Sequence, residues 1–210
     1  MNHIRCCSSA GLIVLVACAQ RGESLRAAAE SDTTTVTFAI DLWPGEGIPV
    51  IEMRRDELLL HADPDQASPV VDTLRGRIGQ RVAFDSTRYQ TIQSGTIAFL
   101  ETGSVTGRDF GIVRHLPLES YYQADMAEVA IPVSAGDSVE FLQHRAEGTC
   151  FVKIGDRVID AEPCPGFGRD SVLVVRQPET QWWIRVRGHG GAFGWLLVSD
   201  STARSARREF

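Results

Sequence analysis

From Thr33 onward the chain is written in short apolar runs interrupted every few positions by Gly, Pro or Asp. Val36, Phe38 and Ile40 alternate with Thr35, Thr37 and Ala39, the period of two that gives a strand one buried face. Trp43-Pro44-Gly45-Glu46-Gly47 breaks that run, and Ile48 to Met53 and Glu57 to His61 read as further strands. Asp63-Pro64-Asp65 is a turn, since proline presets φ and aspartate bonds its own backbone. Val70 to Leu74, Gln80 to Phe84 and Thr91 to Leu100 continue the pattern. A second block begins near Met126 and holds Val139 to Leu142, Thr149 to Ile154, a Gly155-Asp156 hairpin pair and Arg157 to Asp160. Ser171 to Arg176, Gln181 to Arg187 and Phe193 to Val198 complete it. No segment after Thr33 carries a convincing amphipathic helix. The fold class this predicts is all-β: two small barrels in tandem, over 33–115 and 126–200, or one merged β-sandwich.

Ahead of the strands stands a segment of different character. Gly11 to Ala17 is apolar, follows a short stretch with His3 and Arg5, and ends directly at Cys18. A run this short falls below the roughly 20 residues of a transmembrane helix and reads as a processing signal. Leu15-Val16-Ala17-Cys18 resembles a lipobox, the bacterial lipoprotein cleavage site. The resemblance implies removal of 1–17 and a lipid on Cys18. Ala19, where an inner-membrane retention signal would place Asp, points to the outer membrane. Residues 18–32 are polar and alanine-rich and read as a tether, and residues 201–210 as a disordered tail.

Cysteine arithmetic agrees with export. Of five cysteines, Cys6 and Cys7 leave with the signal and Cys18 takes the lipid, so Cys150 and Cys164 remain. Two cysteines in an oxidising compartment read as a disulfide. Charge excludes one class of partner. The whole chain has 21 basic and 27 acidic residues. Loss of Arg5 leaves 20 against 27, a balance unlike the basic surface that nucleic acid requires. Arg204, Arg207 and Arg208 form the one local basic cluster.

Trp183-Ile184-Arg185-Val186, Gly188 to Phe193 and Gly194-Trp195-Leu196 together resemble the close of a bacterial SH3-like (SH3b) domain. Glu57 to Asp65, with Ser68, Val70, Val71 and Leu74, resembles the opening of one. The opening lies in the first half of the chain and the closing in the second. The resemblance implies two divergent barrels with a binding role in the cell envelope, and it puts Val186 and Trp195 inside a barrel.

Chemistry-bearing constellations are sparse. Gly188-x-Gly190-x-x-x-Gly194 looks like a phosphate loop, but a strand follows it instead of a helix, so it reads as a hairpin turn. Cys150 with His144 or His189 could be drawn as a cysteine hydrolase dyad acting on cell-wall peptides, yet Cys164 offers it a disulfide partner. His61, His115, His144 and His189 have no metal-ligand spacing, so no metal and no cofactor are expected. Trp43, Tyr121, Tyr122, Trp182 and Trp195 are the candidates for contact with sugar rings or peptide. Period two puts Trp182 on the side of Val186 and Trp183 on the other, so one of the adjacent pair is expected at the surface or a domain seam. The expected function is non-catalytic: a lipid-anchored protein binding peptidoglycan, peptide or an envelope partner. A structural subunit of an envelope complex is the remaining alternative. Mass spectrometry of the protein from its native membrane should find an acylated Cys18 as first residue; an intact, unmodified Met1 terminus would contradict export.

Overall fold

The computed structural model describes residues 35–42, 50–123, 128–145, 148–165 and 171–205. The expected signal, tether, Cys18, Trp43, Arg207 and Arg208 lie outside them. The all-β expectation holds. The described strands, in chain order, are β1 (Phe38–Ile40), β2 (Val50–Met53), β3 (Glu57–His61), β4 (Val70–Arg75), β5 (Arg81–Ala83) and β6 (Ser86–Gln93). They continue with β7 (Gly95–Phe99), β8 (Gly103–Asp109), β9 (His115–Leu116), β10 (Glu128–Val133), β11 (Ser138–His144) and β12 (Cys150–Ile154). Last come β13 (Arg157–Ala161), β14 (Val172–Arg176), β15 (Glu179–Arg187), β16 (Phe193–Val198) and β17 (Ala203–Ser205). A single short helix, α1 (Leu118–Gln123), is described, and no helix among the described residues is long and apolar enough to cross a membrane.

Strand pairing departs from the tandem expectation. One seven-stranded sheet runs β4-β3-β16-β15-β6-β1-β9, so the last long hairpin of the chain sits between strands of its first half. β15 pairs antiparallel with β6, placing Trp182 opposite Tyr89 and Ile184 opposite Thr87. A small sheet, β17-β2-β5, flanks this module. A second seven-stranded sheet, β10-β8-β13-β12-β11-β7-β14, is built wholly from residues 95–176. The division is therefore not one break between a 33–115 and a 126–200 module but two adjacent crossings, at Ser94 and at Gln177-Pro178, with the 95–176 sheet inserted between β6 and β15.

Gly95 explains why the expected strand over Thr91–Leu100 divides. A Cβ there would stand 2.4 Å from the Arg176 carbonyl oxygen and 2.7 Å from the Pro178 nitrogen. Only glycine lets the outgoing and returning chains pass this closely. Arg176 fastens the crossing by donating from Nη2 to the Ser94 carbonyl at 2.8 Å.

Three apolar clusters form among the described residues. Ile51, Met53, Leu58, Leu60, Leu74, Ile184, Val186 and Leu196 form the core of the first module, drawing on both ends of the chain. Ile97, Val105, Phe141, Val152, Ile159 and the two cysteines form the core of the inserted sheet. Phe38, Ile40, Phe110, Tyr121, Leu142, Phe151 and Val158 join one sheet to the other. Thr91 reinforces that seam by donating its hydroxyl to the Leu142 carbonyl at 2.7 Å. The tail expected over 201–210 is corrected as far as residue 205, because β17 pairs with β2 and brings Ala203 opposite Met53; residues 206–210 lie outside the described residues.

Cys150 and Cys164 are joined as expected, with 2.04 Å between the sulfurs, and both are buried. By chain entropy a loop of this length stabilises by about 3 kcal/mol. Since Ile184 is fully buried in a core made from both chain ends, Ile184→Ala should cost about 2–5 kcal/mol in urea unfolding. A fragment ending at residue 115 should give no cooperative transition; cooperative unfolding of that fragment would refute the pairing described.

Candidate functional site

The outer face of the first module's sheet is where polar and aromatic side chains collect. Ile184, Val186 and Leu196 point inward, so alternation turns Trp183, Arg185, Trp195 and Leu197 outward. Cross-strand neighbours share a face, which adds His61 opposite Trp195 and Arg88 opposite Trp183. Trp195 is thus on the opposite face from Val186 and half-buried, not inside the barrel with it. Trp183 also faces outward, yet it is fully buried, with the His61 ring edge-on at 6.0 Å and its indole N–H donated to Gln181 Oε1 at 3.2 Å. Of the adjacent pair it is therefore not Trp183 that reaches the surface; Trp182 is the one left half-buried. The β3–β4 loop folds back across the face, pinned by Gln90 Nε2 donating to the Pro64 carbonyl at 2.9 Å.

Trp195 has a cation beside it. The Arg88 guanidinium stands 5.2 Å from the ring centroid and is held there by Asp41, through Nε at 2.6 Å and Nη2 at 3.0 Å. Asp41 also meets His115 Nε2 at 3.0 Å. On the other side of Trp195, β3 and β16 share only the Trp195–His61 pair. Beyond it they diverge, and a groove of 390 Å³ opens, lined by Leu59, His61, Gln66, Leu197, Ser199 and Thr202. Leu59 is more than half exposed there. His61 Nδ1 lies 3.0 Å from the Ser68 carbonyl. A carbonyl only accepts, so Nδ1 carries the proton and, in the neutral ring, Nε2 is left as an acceptor.

The other aromatic candidates lie apart from Trp195. Trp182 is on the core side, stacked on Tyr89 at 5.7 Å and 4°, with its indole N–H donated to Thr87 Oγ1 at 2.8 Å. Burial pushes the Tyr89 hydroxyl's pKa up. Tyr121 is buried on α1, and Tyr122 beside it is the most exposed of the described candidates. The structure therefore leaves Trp195 alone among them on the outer face of the first sheet.

Around Tyr121 stands a charge network that no sequence motif announced. Asp160, on β13 and almost wholly buried, receives Arg108 Nη2 at 2.8 Å, Tyr121 OH at 2.9 Å and Arg145 Nη1 at 3.2 Å, all on Oδ2. Arg108 also donates to the Tyr121 hydroxyl oxygen. Burial pushes the Asp160 carboxyl up, and the two guanidiniums pull it back only in part.

The glycine-rich loop is a hairpin turn, as its flanking strands implied, and its amides are already occupied. Asp72 of β4 accepts Gly190 N–H on Oδ1 and Ala192 N–H on Oδ2, each at 3.1 Å. A Cβ on Gly188 would fall 2.3 Å from the Asp72 carboxyl carbon, so that position must be glycine. An internal carboxylate takes the place a phosphate would need. The cysteine hydrolase dyad is likewise not assembled: Cys150 is fully buried in a disulfide, and the His144 ring packs 4.5 Å from Phe141. Among the described residues no group of three or more His, Cys, Asp or Glu could hold a metal ion.

Hydrogen bonds from the backbone of Thr73 and Gly190 hold the Asp72 carboxyl below its ordinary value. Its pKa is lower folded than unfolded, so the unfolded chain takes up the proton first as pH drops. The stabilisation is complete above about pH 4 and drains away as pH falls through the folded value. Asp72→Asn should therefore be less stable than wild type at pH 7, with the gap narrowing in acid; a gap independent of pH would refute this role.

No family model, no curated protein and no solved structure matches the chain.

Proposed function

We propose that this is a lipid-anchored protein of a bacterial cell envelope.

 The role we assign it is to bind, without catalysis, peptidoglycan, peptide or another envelope protein. The binding surface is the outer face of the first sheet around Trp195, on a module of SH3-like type.

The observation that carries this reading is Trp195 itself. It is a half-buried indole with a guanidinium fixed at 5.2 Å, and its cross-strand partner His61 lines the 390 Å³ groove between β3 and β16. A large flat ring with a cation beside it suits both sugar rings and extended peptide, and the hydroxyls and amides in the groove supply orientation. His61 adds an acceptor whose tautomer is set by Ser68. A second support comes from topology. The pieces that resemble the opening and closing of an SH3b domain, 57–74 and 183–196, lie on β3, β4, β15 and β16, which are neighbours in one sheet. They would make one such module from the two ends of the chain, with 95–176 inserted.

Purified cell wall and envelope extract are the baits that test this. The protein should be retained on one of them, and Trp195→Ala should weaken retention about 30-fold, the ~2 kcal/mol of an aromatic hot spot. An unchanged melting temperature would show the variant still folded. No retention on either bait removes the binding reading.

A further inference from the structure

We propose that Arg108 and Arg145 form a second binding site, on the inserted module, for an oxyanion: a carboxylate or phosphate group presented beside Tyr122. Arg108 lies on β8 and Arg145 directly follows β11, two strands that β13 and β12 separate in the sheet. Asp160 draws them together, since each places a terminal nitrogen on the same carboxylate oxygen. Two guanidiniums on one carboxylate leave a net positive charge, on a chain whose overall charge is −6. Among the described residues neither arginine pairs with any other carboxylate.

The geometry is that of a held recognition group and not of a filled salt bridge. Arg108 lies over the Tyr121 ring at 4.4 Å and Arg145 at 5.5 Å, so the same aromatic plane fixes both. Arg145 Nε is taken by Thr149 Oγ1 at 2.9 Å. A guanidinium has five donors, and these contacts leave Nε and Nη1 of Arg108 and Nη2 of Arg145 without a partner among the described residues. The arginine side chains remain 37% and 26% exposed, so solvent, and with it a ligand, reaches them. Planar forks of this kind match the two oxygens of a carboxylate or phosphate.

Two further features fit a ligand better than a purely structural knot. Asp160 Oδ1 is buried with no hydrogen-bond partner, while three donors crowd onto Oδ2. A network serving stability alone would gain by sharing those donors between both oxygens. Tyr122 stands edge-on to Tyr121 at 5.3 Å and is 73% exposed, so the ring that holds both cations has an exposed aromatic neighbour. It gives an anion carried on a flat or apolar body a surface to lie on.

Isothermal titration of the full-length protein at low ionic strength tests this with inorganic phosphate, acetate and phenyl phosphate. Phosphate or acetate should bind saturably at one site, and the tighter of the two identifies the oxyanion class. Phenyl phosphate should bind more tightly than inorganic phosphate, and Tyr122→Ala should remove that gain. Arg145→Gln should weaken binding about tenfold or more, the scale of a lost charge-assisted bond. Arg145→Lys, which keeps the charge but loses the fork, should fall between the two and serves if the glutamine variant does not fold. Lys153→Gln, which removes a cation paired with Glu140 elsewhere on the sheet, should change nothing, and Trp195→Ala should leave this site intact whatever it does to cell-wall retention. Absence of saturable binding by any probe, or equal weakening by Arg145→Gln and Lys153→Gln, would overturn the proposal.

Discussion

The ladder between β6 and β15 is the interaction on which the rest of the architecture depends. It joins residues 86–93 to residues 179–185 and brings Ile184, Val186 and Leu196 against Leu58, Leu60 and Leu74. Closing so long a loop costs about 4 kcal/mol in chain entropy beyond a constant. Each buried aliphatic side chain returns roughly 1.5–3 kcal/mol, so the three from the returning hairpin more than offset that cost. The loop-length penalty grows only as a logarithm, and for that reason a whole second sheet can sit between the two strands. Gly95 and the Arg176–Ser94 contact mark where this insertion is tied off.

Two aspartates show how burial changes what a carboxylate does. Asp72 is accessible to water and accepts backbone N–H groups from the β15–β16 turn, which stabilise its charged form. It fixes the turn to the neighbouring strand and fills the anion nest that the glycines create. Asp160 is enclosed, and enclosure works against its charge even with two arginines in contact. In the first case the carboxylate completes a local structure. In the second it organises cations at a surface and leaves one of its own oxygens unmet.

Much of the local structure was legible in the chain. The alternation around Phe38 and Ile40, the hairpin at Gly155-Asp156 and the turn at Gly188 to Gly191 all follow from side-chain period and turn chemistry. The sulfur pairing followed from counting. β8 and β9 escaped notice because Ser104, Thr106 and Arg108 alternate with only one large apolar residue, Val105, and β9 is two residues long. The Asp160 network escaped for a different reason. Arg108 and Tyr121 are 52 and 39 positions from Asp160, Arg145 is 15 away with a whole strand between, and each is an ordinary surface residue type in its own neighbourhood.

Period two assigns side chains to two faces of a strand, and so Trp182 with Val186 and Trp183 against them were determined by the sequence alone. Which face is covered depends on what packs there, and that is a property of distant segments. Trp183 is sealed because His61 and the β3–β4 loop lie over the outer face, whereas Trp195, at the one pairing of β16 with β3, stays partly open. The same limit governs the topology. Each strand's pattern specifies a partner surface, an apolar stripe of matching length, but many strands here offer one, and only the assembled chain selects β6 for β15.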